Sequence, residues 1–259
     1  MPNHCSNYLE ISVDPKDKKA VEQLANFIDN SVLLKEDYDA KVEDGAYFTF
    51  EGVSKMPEEL KFTTSPTRIV SEKKRQEQLE KNKTSDFKSY PITKKMQKQL
   101  IDKYGYDNWY DWKYDHWGTK WDAYDCYISE LLKDYFSVSF DTAWSPPFPY
   151  YLALSKKYPL LKIEIEYSEL GMDFAGRQNY YNGKLVDEVE MSCSKFEFLE
   201  DAPSWWDRFY DDLDSNCHGE LDDFKNHYED VWEIMSKADR VNIKEAFKQH
   251  ENEKANTKS

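Results

Sequence analysis

Glycine and cysteine are scarce in this sequence, and long apolar runs are missing. It has 8 glycines and 4 cysteines among 259 residues. The cysteines stand far apart without a CxxC pair, which indicates reduced thiols rather than the disulfide framework of a small secreted protein. No stretch approaches the roughly 18 apolar residues of a membrane-spanning helix. The start MPNHCSNYLEISV also lacks the basic patch and apolar stretch of a secretory signal, so we expect a cytoplasmic protein with no membrane partner.

The residue spacings of common metal and nucleophile sites are also missing. His4 and Cys5 are adjacent, as are Cys217 and His218, whereas zinc ligands come in two pairs, each about two to four residues apart. Ser145 has no nearby His–Asp pattern that would activate it as a nucleophile. We therefore predict no metal site, no cofactor and no catalytic residue.

The sequence is rich in charge, which is unevenly placed, and in aromatic rings. The net charge is −15, and aromatic residues make up 16% of the chain. Residues 187–239 hold 17 acids and 4 bases, a balance of −13, whereas residues 53–104 hold 13 bases and 7 acids, a balance of +6. Because non-specific binding of nucleic acid needs lysine and arginine to neutralise phosphates, the overall acidity predicts that nucleic acid is not the partner.

Apolar and polar residues alternate in four segments, with the period of two that is typical of half-buried strands. A helical pattern follows Asp14–Pro15 and another follows Ser145–Pro146, and each pair has the residue types of a helix start. Two β-α-β units predict an α+β fold, a ferredoxin-like β-α-β/β-α-β antiparallel sheet with its helices on one face. The four predicted strands are residues 8–13, 46–51, 136–141 and 161–167.

An insertion separates the second and third predicted strands, at about residues 52–134. Within it, the Lys-rich residues 61–90 have little apolar periodicity, so they form a mobile loop or an exposed helix. Residues 93–104 have an apolar helical face, and Gly105 is placed to end that helix. The insertion is therefore predicted to be helical, with its densest aromatic segment immediately after Gly105.

Two further segments follow the fourth predicted strand. Asn182–Gly183 predicts the type I′ turn of an added hairpin. The last third of the chain is acidic and has helical patterns. We predict a ferredoxin-like domain of residues 1–192 and an acidic helical C-terminal extension of residues 193–259.

Four short motifs stand out: MPNHCSN at residues 1–7, WGTKWDAY at Trp117–Tyr124, TAWSPP at Thr142–Pro147 and YSELGMDFAG at Tyr167–Gly176. In combination they resemble the YubB ferredoxin-like family of phage and plasmid proteins. The resemblance covers residues 1–183 apart from the Lys-rich segment, and it implies a ferredoxin-like fold, in agreement with the strand pattern. This family has no accepted activity or catalytic residues, so the resemblance transfers none.

The WGTKWDAY motif has the residue types of a helix start. Thr119 and Asp122 have the spacing of a capping box, and apolar residues follow at helical intervals through Leu131. One interpretation is purely structural, with the tryptophans as packing rings. The alternative is that amides at the helix start bind an anionic ligand such as a nucleotide phosphate, with a tryptophan as stacking face. The ligand contacts would come from Trp117, Thr119, Lys120 and Trp121.

Two other motifs offer candidate ligand contacts. Trp144 lies at the end of a predicted strand, where pockets often form, although core packing also explains it. Glu169 and Asp173 are two carboxylates close together at a turn, suited to acid–base work or simply solvated. In the ligand-binding alternative, the ends of helix and strand carrying Lys120, Trp144, Glu169 and Asp173 form one pocket, and the sequence leaves open whether they converge.

The acidic C-terminal third has two interpretations. It is a solvated helical face, or it is a surface that binds a basic partner by imitating the charge of nucleic acid. The candidate partner-binding residues are Trp205, Trp206, Asp207, Asp211, Asp212, Asp214, Glu220, Asp222 and Asp223.

The leading hypothesis is a non-catalytic phage or mobile-element accessory protein that binds a basic host protein through its acidic surface and counters host defence. The alternative is a small-ligand binder or enzyme that holds a nucleotide-like anion. A third hypothesis, contact between nucleic acid and the Lys-rich residues 73–98, is disfavoured by the acids interleaved there. The sequence leaves the oligomeric state open.

Overall fold

The structure, a computed structural model, describes residues 3–34, 46–81, 89–193, 195–196 and 221–227, and positions 229, 232, 240, 241, 243–245, 247 and 248. The chain divides into two compact units. The first is Met1–Glu169 with Arg177–Glu188, and the second is Leu170–Gly176 with Val189–Ser259. The predicted domain boundary at residue 192 stays a prediction. Within the described ranges, no helix has the length and apolarity needed to cross a membrane.

A six-stranded sheet organises the fold. Its strands are β1 (His4–Ser12), β4 (Tyr124–Leu131), β5 (Tyr135–Ala143), β6 (Lys162–Glu169), β7 (Phe174–Tyr181) and β8 (Lys184–Met191). They lie in the order β4-β5-β1-β6-β7-β8, and the central strand β1 pairs antiparallel with both β5 and β6.

The first four strands of this order form the ferredoxin-like core. Helix α1 (Lys18–Ser31) follows β1, and helix α6 (Phe148–Lys157) connects β5 to β6. The path β1-α1-β4-β5-α6-β6 with sheet order β4-β5-β1-β6 gives two β-α-β units in one antiparallel sheet, which confirms the predicted fold class.

The hydrophobic core lies between this sheet and its two helices. On the inner side of the sheet, Leu9 is directly opposite Val138 on one neighbour and Ile165 on the other, and all three are fully buried. Phe27 of α1 makes an edge-to-face contact with Phe136 of β5 at 5.6 Å between ring centroids. Alternation along each strand places its other side chains on the outer face of the sheet.

An insertion separates α1 from β4. It begins with a two-stranded sheet, β2 (Val32–Leu34) and β3 (Ala46–Phe48), followed by a 3₁₀ helix, Phe50–Gly52. Its helices are α2 (Glu58–Lys61), α3 (Glu72–Lys81), α4 (Lys94–Tyr104) and α5 (Trp109–Trp117). In the second unit, Leu221–His227 forms helix α7, and Phe224, Ile243 and Phe247 are buried there.

The helix predicted after the WGTKWDAY motif is wrong. Residues 124–131 form strand β4, and Asp122 is not an N-cap partner of Thr119. The register of β4 shifts between Tyr124 and Tyr127 and again between Ile128 and Glu130. Each irregularity changes the two-residue alternation of a strand, so the apolar residues of this bulged strand stand at intervals that imitate a helix.

The second predicted strand, residues 46–51, is wrong in part. Ala46–Phe48 is a strand, but it pairs with Val32–Leu34 and not with the main sheet. Phe48 and Phe50 are both fully buried, so their alternation reflects burial rather than a long strand. The second strand of the core is β4, and the insertion therefore lies between α1 and that strand, not between the second and third strands.

Several local predictions are confirmed. Helix α4 begins after Thr93, whose hydroxyl accepts from the Met96 N–H, and ends at Gly105 with φ 80°. Asn182 and Gly183 have φ of 51° and 73°, as a type I′ hairpin requires. Part of the Lys-rich segment is the exposed helix α3, without a buried side chain. The start of α1 was predicted wrongly, because Asp17 rather than Asp14 caps it.

Candidate functional site

Three of the four motifs meet at one end of the sheet. The Ser145 hydroxyl donates to the Gly118 carbonyl at 3.1 Å, and the Thr119 hydroxyl donates to the Ala143 carbonyl at 3.3 Å. The backbone N–H of Trp144 donates to the Asn3 carbonyl at 3.0 Å. The segments MPNHCSN, WGTKWDAY and TAWSPP therefore hold one another in place through hydrogen bonds.

The backbone conformation at Gly118 explains why the WGTKWDAY motif has glycine at this position. Its φ of 82° ends helix α5 in the left-handed region, where glycine alone fits without strain. A Cβ at this position would also lie 2.6 Å from Cδ of Pro149. The motif thus brings the end of α5 into direct contact with the start of α6.

Trp144 combines exposure with an unusual backbone conformation. Its side chain is 43% exposed, and its φ is 77°. The left-handed region costs a residue with a Cβ about 1–2 kcal/mol. The turn is fixed by the Trp144–Asn3 bond and by the Thr142 hydroxyl, which donates to the Ser145 carbonyl at 2.8 Å. A large ring held at the surface against a backbone preference is a sign of function.

A polar network lies beside Trp144 on the outer face. Nδ1 of His4 is 2.9 Å from the Tyr124 hydroxyl and 3.8 Å from a carboxylate oxygen of Asp141. The other Asp141 oxygen accepts from the Ser6 hydroxyl at 3.0 Å. Burial, and then the negative charge of Asp141, raise the pKa of Tyr124 to about 12. The phenol is therefore neutral at physiological pH.

Trp121 lies next to the rings of this polar network. It is 41% exposed and contacts Tyr124 edge-on at 6.0 Å, and Tyr124 contacts His4 edge-on at 5.6 Å. The ammonium of Lys120 lies 4.3 Å from the centre of the Trp121 ring. We call His4, Trp121, Tyr124 and Trp144 the aromatic corner.

Three of the other predicted ligand contacts are buried, and the fourth, Asp173, lies in the second unit. Trp117 is 1% exposed and its indole N–H donates to the Ser54 carbonyl at 2.8 Å, so it packs in the core. Thr119 is fully buried and Glu169 is 2% exposed. Strand pairing brings Glu169 to the same end of the sheet as Trp144, because both strands end beside the start of β1. Asp173 belongs to the second unit, where it accepts from the Cys193 N–H at 3.1 Å.

Most of the predicted partner-binding residues, from Trp205 to Glu220, lie outside the described residues. Asp222 and Asp223 are described, and both are exposed in the first turn of α7. Asp222 forms an ion pair with Lys225 at 2.7 Å, and this hydrogen bond lowers the pKa of Asp222. The acidic C-terminal surface therefore stays a prediction.

Asp122 of the WGTKWDAY motif is a half-buried structural anchor. Its carboxylate accepts from the Phe50 N–H at 2.8 Å, the Thr49 hydroxyl at 2.6 Å and the Ala123 N–H at 2.9 Å. Burial raises the pKa of this carboxyl group and lowers the pKa of the nearby Lys113. The Lys113 ammonium packs 4.4 Å above the Trp117 ring. This cluster fastens the insertion to the edge of the sheet.

The outer face of strands β4, β5, β1 and β6 is acidic and rich in tyrosine. Glu10 of β1 lies directly opposite Glu164 of β6, and like charges in that position repel each other. Tyr8 and Tyr135 both donate to the Glu10 carboxylate. The five carboxylates of this face are Glu10, Glu130, Asp141, Glu164 and Glu166, and its tyrosines are Tyr8, Tyr124, Tyr127 and Tyr135.

Positive charge is scarce on this outer face. Lys162 is the single lysine or arginine on that side of these four strands, which are described over their whole length. Glu130, Glu164 and Tyr127 are exposed, and Glu10 and Asp141 are half-buried. The face can therefore attract cations and offers aromatic rings for contact. No group of three potential metal ligands occurs among the residues described.

Sequence patterns did not indicate the residues that complete this site. Tyr124 lies 120 positions after His4 in the chain, and Asp141 lies 137 positions after it. The sequence pattern around His4 suggested a role for it only as a metal ligand. The acids of the outer face come from separate strands. A signal was present in the polar positions of each alternating strand, but only strand pairing shows that they form one surface.

Comparison with known proteins supports the resemblance seen in the motifs. A family model described as the ferredoxin-like domain in Api92-like protein matches residues 117–208, starting at the first residue of WGTKWDAY. The uncharacterised protein YubB of Escherichia coli strain K12 is 33% identical over 79 residues, which cover 30% of this chain and 54% of YubB. The chain thus spans about half the length of that relative.

A solved structure also resembles this chain. It is the crystal structure of the protein api92 from Yersinia pseudotuberculosis, with 12% sequence identity and a TM-score of 0.39. The similarity covers 74% of this chain and 99% of api92. The resemblance to the YubB and Api92 proteins is confirmed for residues 117–208 by the family model, and the YubB match over 79 residues agrees with it.

Proposed function

We propose, from the premise that this chain carries a ferredoxin-like domain of the YubB and Api92 kind, that it is a non-catalytic protein which binds a basic host protein. The observation that supports this function best is the outer face, where five carboxylates and four tyrosines accompany one lysine. Tyrosine is enriched in protein–protein interfaces, and a field of one sign speeds the encounter with an oppositely charged partner.

The chemistry of the outer face selects among partner classes. Phosphate groups of nucleic acid are repelled by carboxylates, so the same face disfavours DNA and RNA. Nucleases and restriction proteins carry basic surfaces because they bind nucleic acid, and they are the class of target that an acidic face fits. The wider proposal is thus a cytoplasmic phage or mobile-element protein that counters host defence, with the acidic C-terminal segment contributing to the same charge.

Neutralising the outer face is expected to weaken this binding. The variant Glu10→Gln, Glu164→Gln, Glu166→Gln removes three charges and keeps the side-chain volumes. We expect binding to the partner to weaken about 10–100-fold, the equivalent of about 1.4–2.7 kcal/mol. The partner is first captured from lysate, eluted with salt and identified by mass spectrometry, and its Kd is then measured by calorimetry.

A matched control separates the effect of charges on the outer face from the effect of the protein's net charge. The variant Glu72→Gln, Glu77→Gln, Asp102→Asn removes an equal number of negative charges, three, from exposed positions on α3 and α4. It should keep the wild-type Kd to within a few-fold. Equal weakening by both variants, or no weakening by either, would contradict a binding site on the outer face.

The small-ligand alternative draws support from the exposed rings of Trp121 and Trp144 and from the half-buried Lys120, but the neighbouring acids disfavour an anion. A thermal-shift screen with nucleotides tests it, since a ligand at 100 times its Kd adds about 2.7 kcal/mol of stability. We expect no shift for any nucleotide. A reproducible increase in Tm would instead assign the aromatic corner to a nucleotide.

A further inference from the structure

The aromatic corner is not explained by packing. Trp121 and Trp144 are both more than two-fifths exposed, and the ring of Trp144 contacts no other ring among the described residues. The backbone at Trp144 is held in the left-handed region by hydrogen bonds that Trp144 and Ser145 donate to carbonyls of two other motif segments. Single exposed apolar residues are ordinary, but two exposed rings on segments that hydrogen-bond to each other, one of them on a braced backbone, mark a binding surface.

From these features we infer that the aromatic corner is the anchor for an arginine side chain of a basic polypeptide partner. This inference rests on the proposed function and names the group that is recognised. The first support is a cation–π contact that the protein itself forms at this corner, in which the Lys120 ammonium lies 4.3 Å from the Trp121 ring centre. Tryptophan is the best aromatic partner for a cation.

The arrangement of the rings supports a planar cation. Tyr124 contacts both His4 and Trp121 edge-on. Trp121 and Trp144 are each more than two-fifths exposed, so indole surface is available for stacking. Arginine stacks its flat guanidinium on such faces and is more weakly hydrated than lysine, so it loses less when it leaves water.

A carboxylate stands beside the rings. Asp141 is directly opposite Tyr124 across the sheet, and its side chain is 26% exposed. One oxygen accepts from Ser6 and the other lies 3.8 Å from Nδ1 of His4. Because a carboxylate can accept about four hydrogen bonds, Asp141 has room for a guanidinium group.

Charge decides between arginine and a nucleobase, which also stacks on tryptophan. Asp141 lies at one end of the outer face, and Glu166 and Glu10 on neighbouring strands extend its negative charge. A nucleotide would bring its phosphates towards these carboxylates, whereas a basic polypeptide places its other cations there. The aromatic corner and the outer face are therefore complementary to one arginine-rich segment.

Two peptides of equal charge test the inference. They are an arginine–serine repeat and a lysine–serine repeat of the same length, and their Kd values are measured by calorimetry at low salt. The wild-type protein should bind the arginine peptide about 10-fold more tightly. Trp144→Ala should remove this preference and leave the affinity for the lysine peptide within about two-fold. Trp144→Phe keeps a ring and should restore most of the preference.

The outer-face variant Glu10→Gln, Glu164→Gln, Glu166→Gln should weaken both peptides alike. Near-ultraviolet circular dichroism and urea unfolding establish that each variant is folded. If the wild-type protein binds both peptides equally, or Trp144→Ala weakens both by the same factor, the inference of an arginine anchor is wrong. The proposal that the outer face binds a basic partner is then unaffected. If the wild-type protein binds neither peptide, the proposed function fails together with the anchor.

Discussion

Replacing Trp117 with alanine should lower the free energy of unfolding by about 3–5 kcal/mol, the usual cost of removing a large buried ring. The indole is 1% exposed and packs edge-on against Phe50 at 5.7 Å and Trp112 at 5.8 Å between ring centroids. Its N–H also donates to the Ser54 carbonyl at 2.8 Å, so the variant leaves that acceptor without its donor. Urea unfolding followed by circular dichroism measures the change.

The matched control is Trp121→Ala in the same motif. Trp121 is 41% exposed, so its replacement should change the free energy of unfolding by less than about 1 kcal/mol. The pair separates the two roles of tryptophan that the WGTKWDAY motif contains. Equal losses for both variants would contradict the division between a core ring and a surface ring.

Replacing Asp122 with alanine should cost about 3 kcal/mol, because it leaves the Phe50 N–H and the Thr49 hydroxyl buried without an acceptor. Asp122→Asn keeps one carbonyl oxygen for the N–H groups and removes the cost of a buried charge. It should therefore stay within about 1 kcal/mol of the wild-type protein. Thermal and urea unfolding of the two variants at the same pH give the comparison.

The same residue predicts a dependence on pH. Burial raises the pKa of Asp122, so the folded protein keeps this proton at pH values where the unfolded chain, with a pKa of about 3.9, has released it. The stability that this group contributes is complete below the unfolded pKa and is lost as the pH rises through the folded pKa. The stability of Asp122→Asn relative to the wild-type protein should therefore increase from about pH 4 to pH 7. A constant difference would show that the carboxyl group titrates alike in both states.

The recognition of β4 depended on tertiary structure. Local pattern reading favoured a helix because Tyr124, Tyr127, Ile128 and Leu131 stand three, one and three positions apart. Hydrogen bonding to β5 with two register shifts produces the same spacing in a strand. These residues do not form one buried face, because Tyr127 and Leu131 are exposed and Tyr127 and Ile128 pair with residues on opposite faces of the sheet. A spacing pattern therefore does not by itself record which side chains are buried.

The aromatic corner depended on tertiary structure for a related reason. Trp121 and Trp144 were candidate ligand contacts from their motifs, whereas His4 and Asp141 join them only because β1 and β5 are paired. Glu169 was expected in the same pocket, and strand pairing does bring it to that end of the sheet, but its side chain is buried. The direction of a side chain follows from its register, which the sequence leaves open at strand ends.

The sequence by itself determined the class of fold, because clean alternation in β1, β5 and β6 and the apolar stripe of α1 have one stable solution, a sheet covered by helices on one side. It also determined the acidic character of the chain, since charge is a sum over residues. Only the tertiary structure decided which strand is second in the core and where the acids and rings form common surfaces. Those features arise from pairing between segments far apart in the chain, and pairing depends on the packing of the whole sheet.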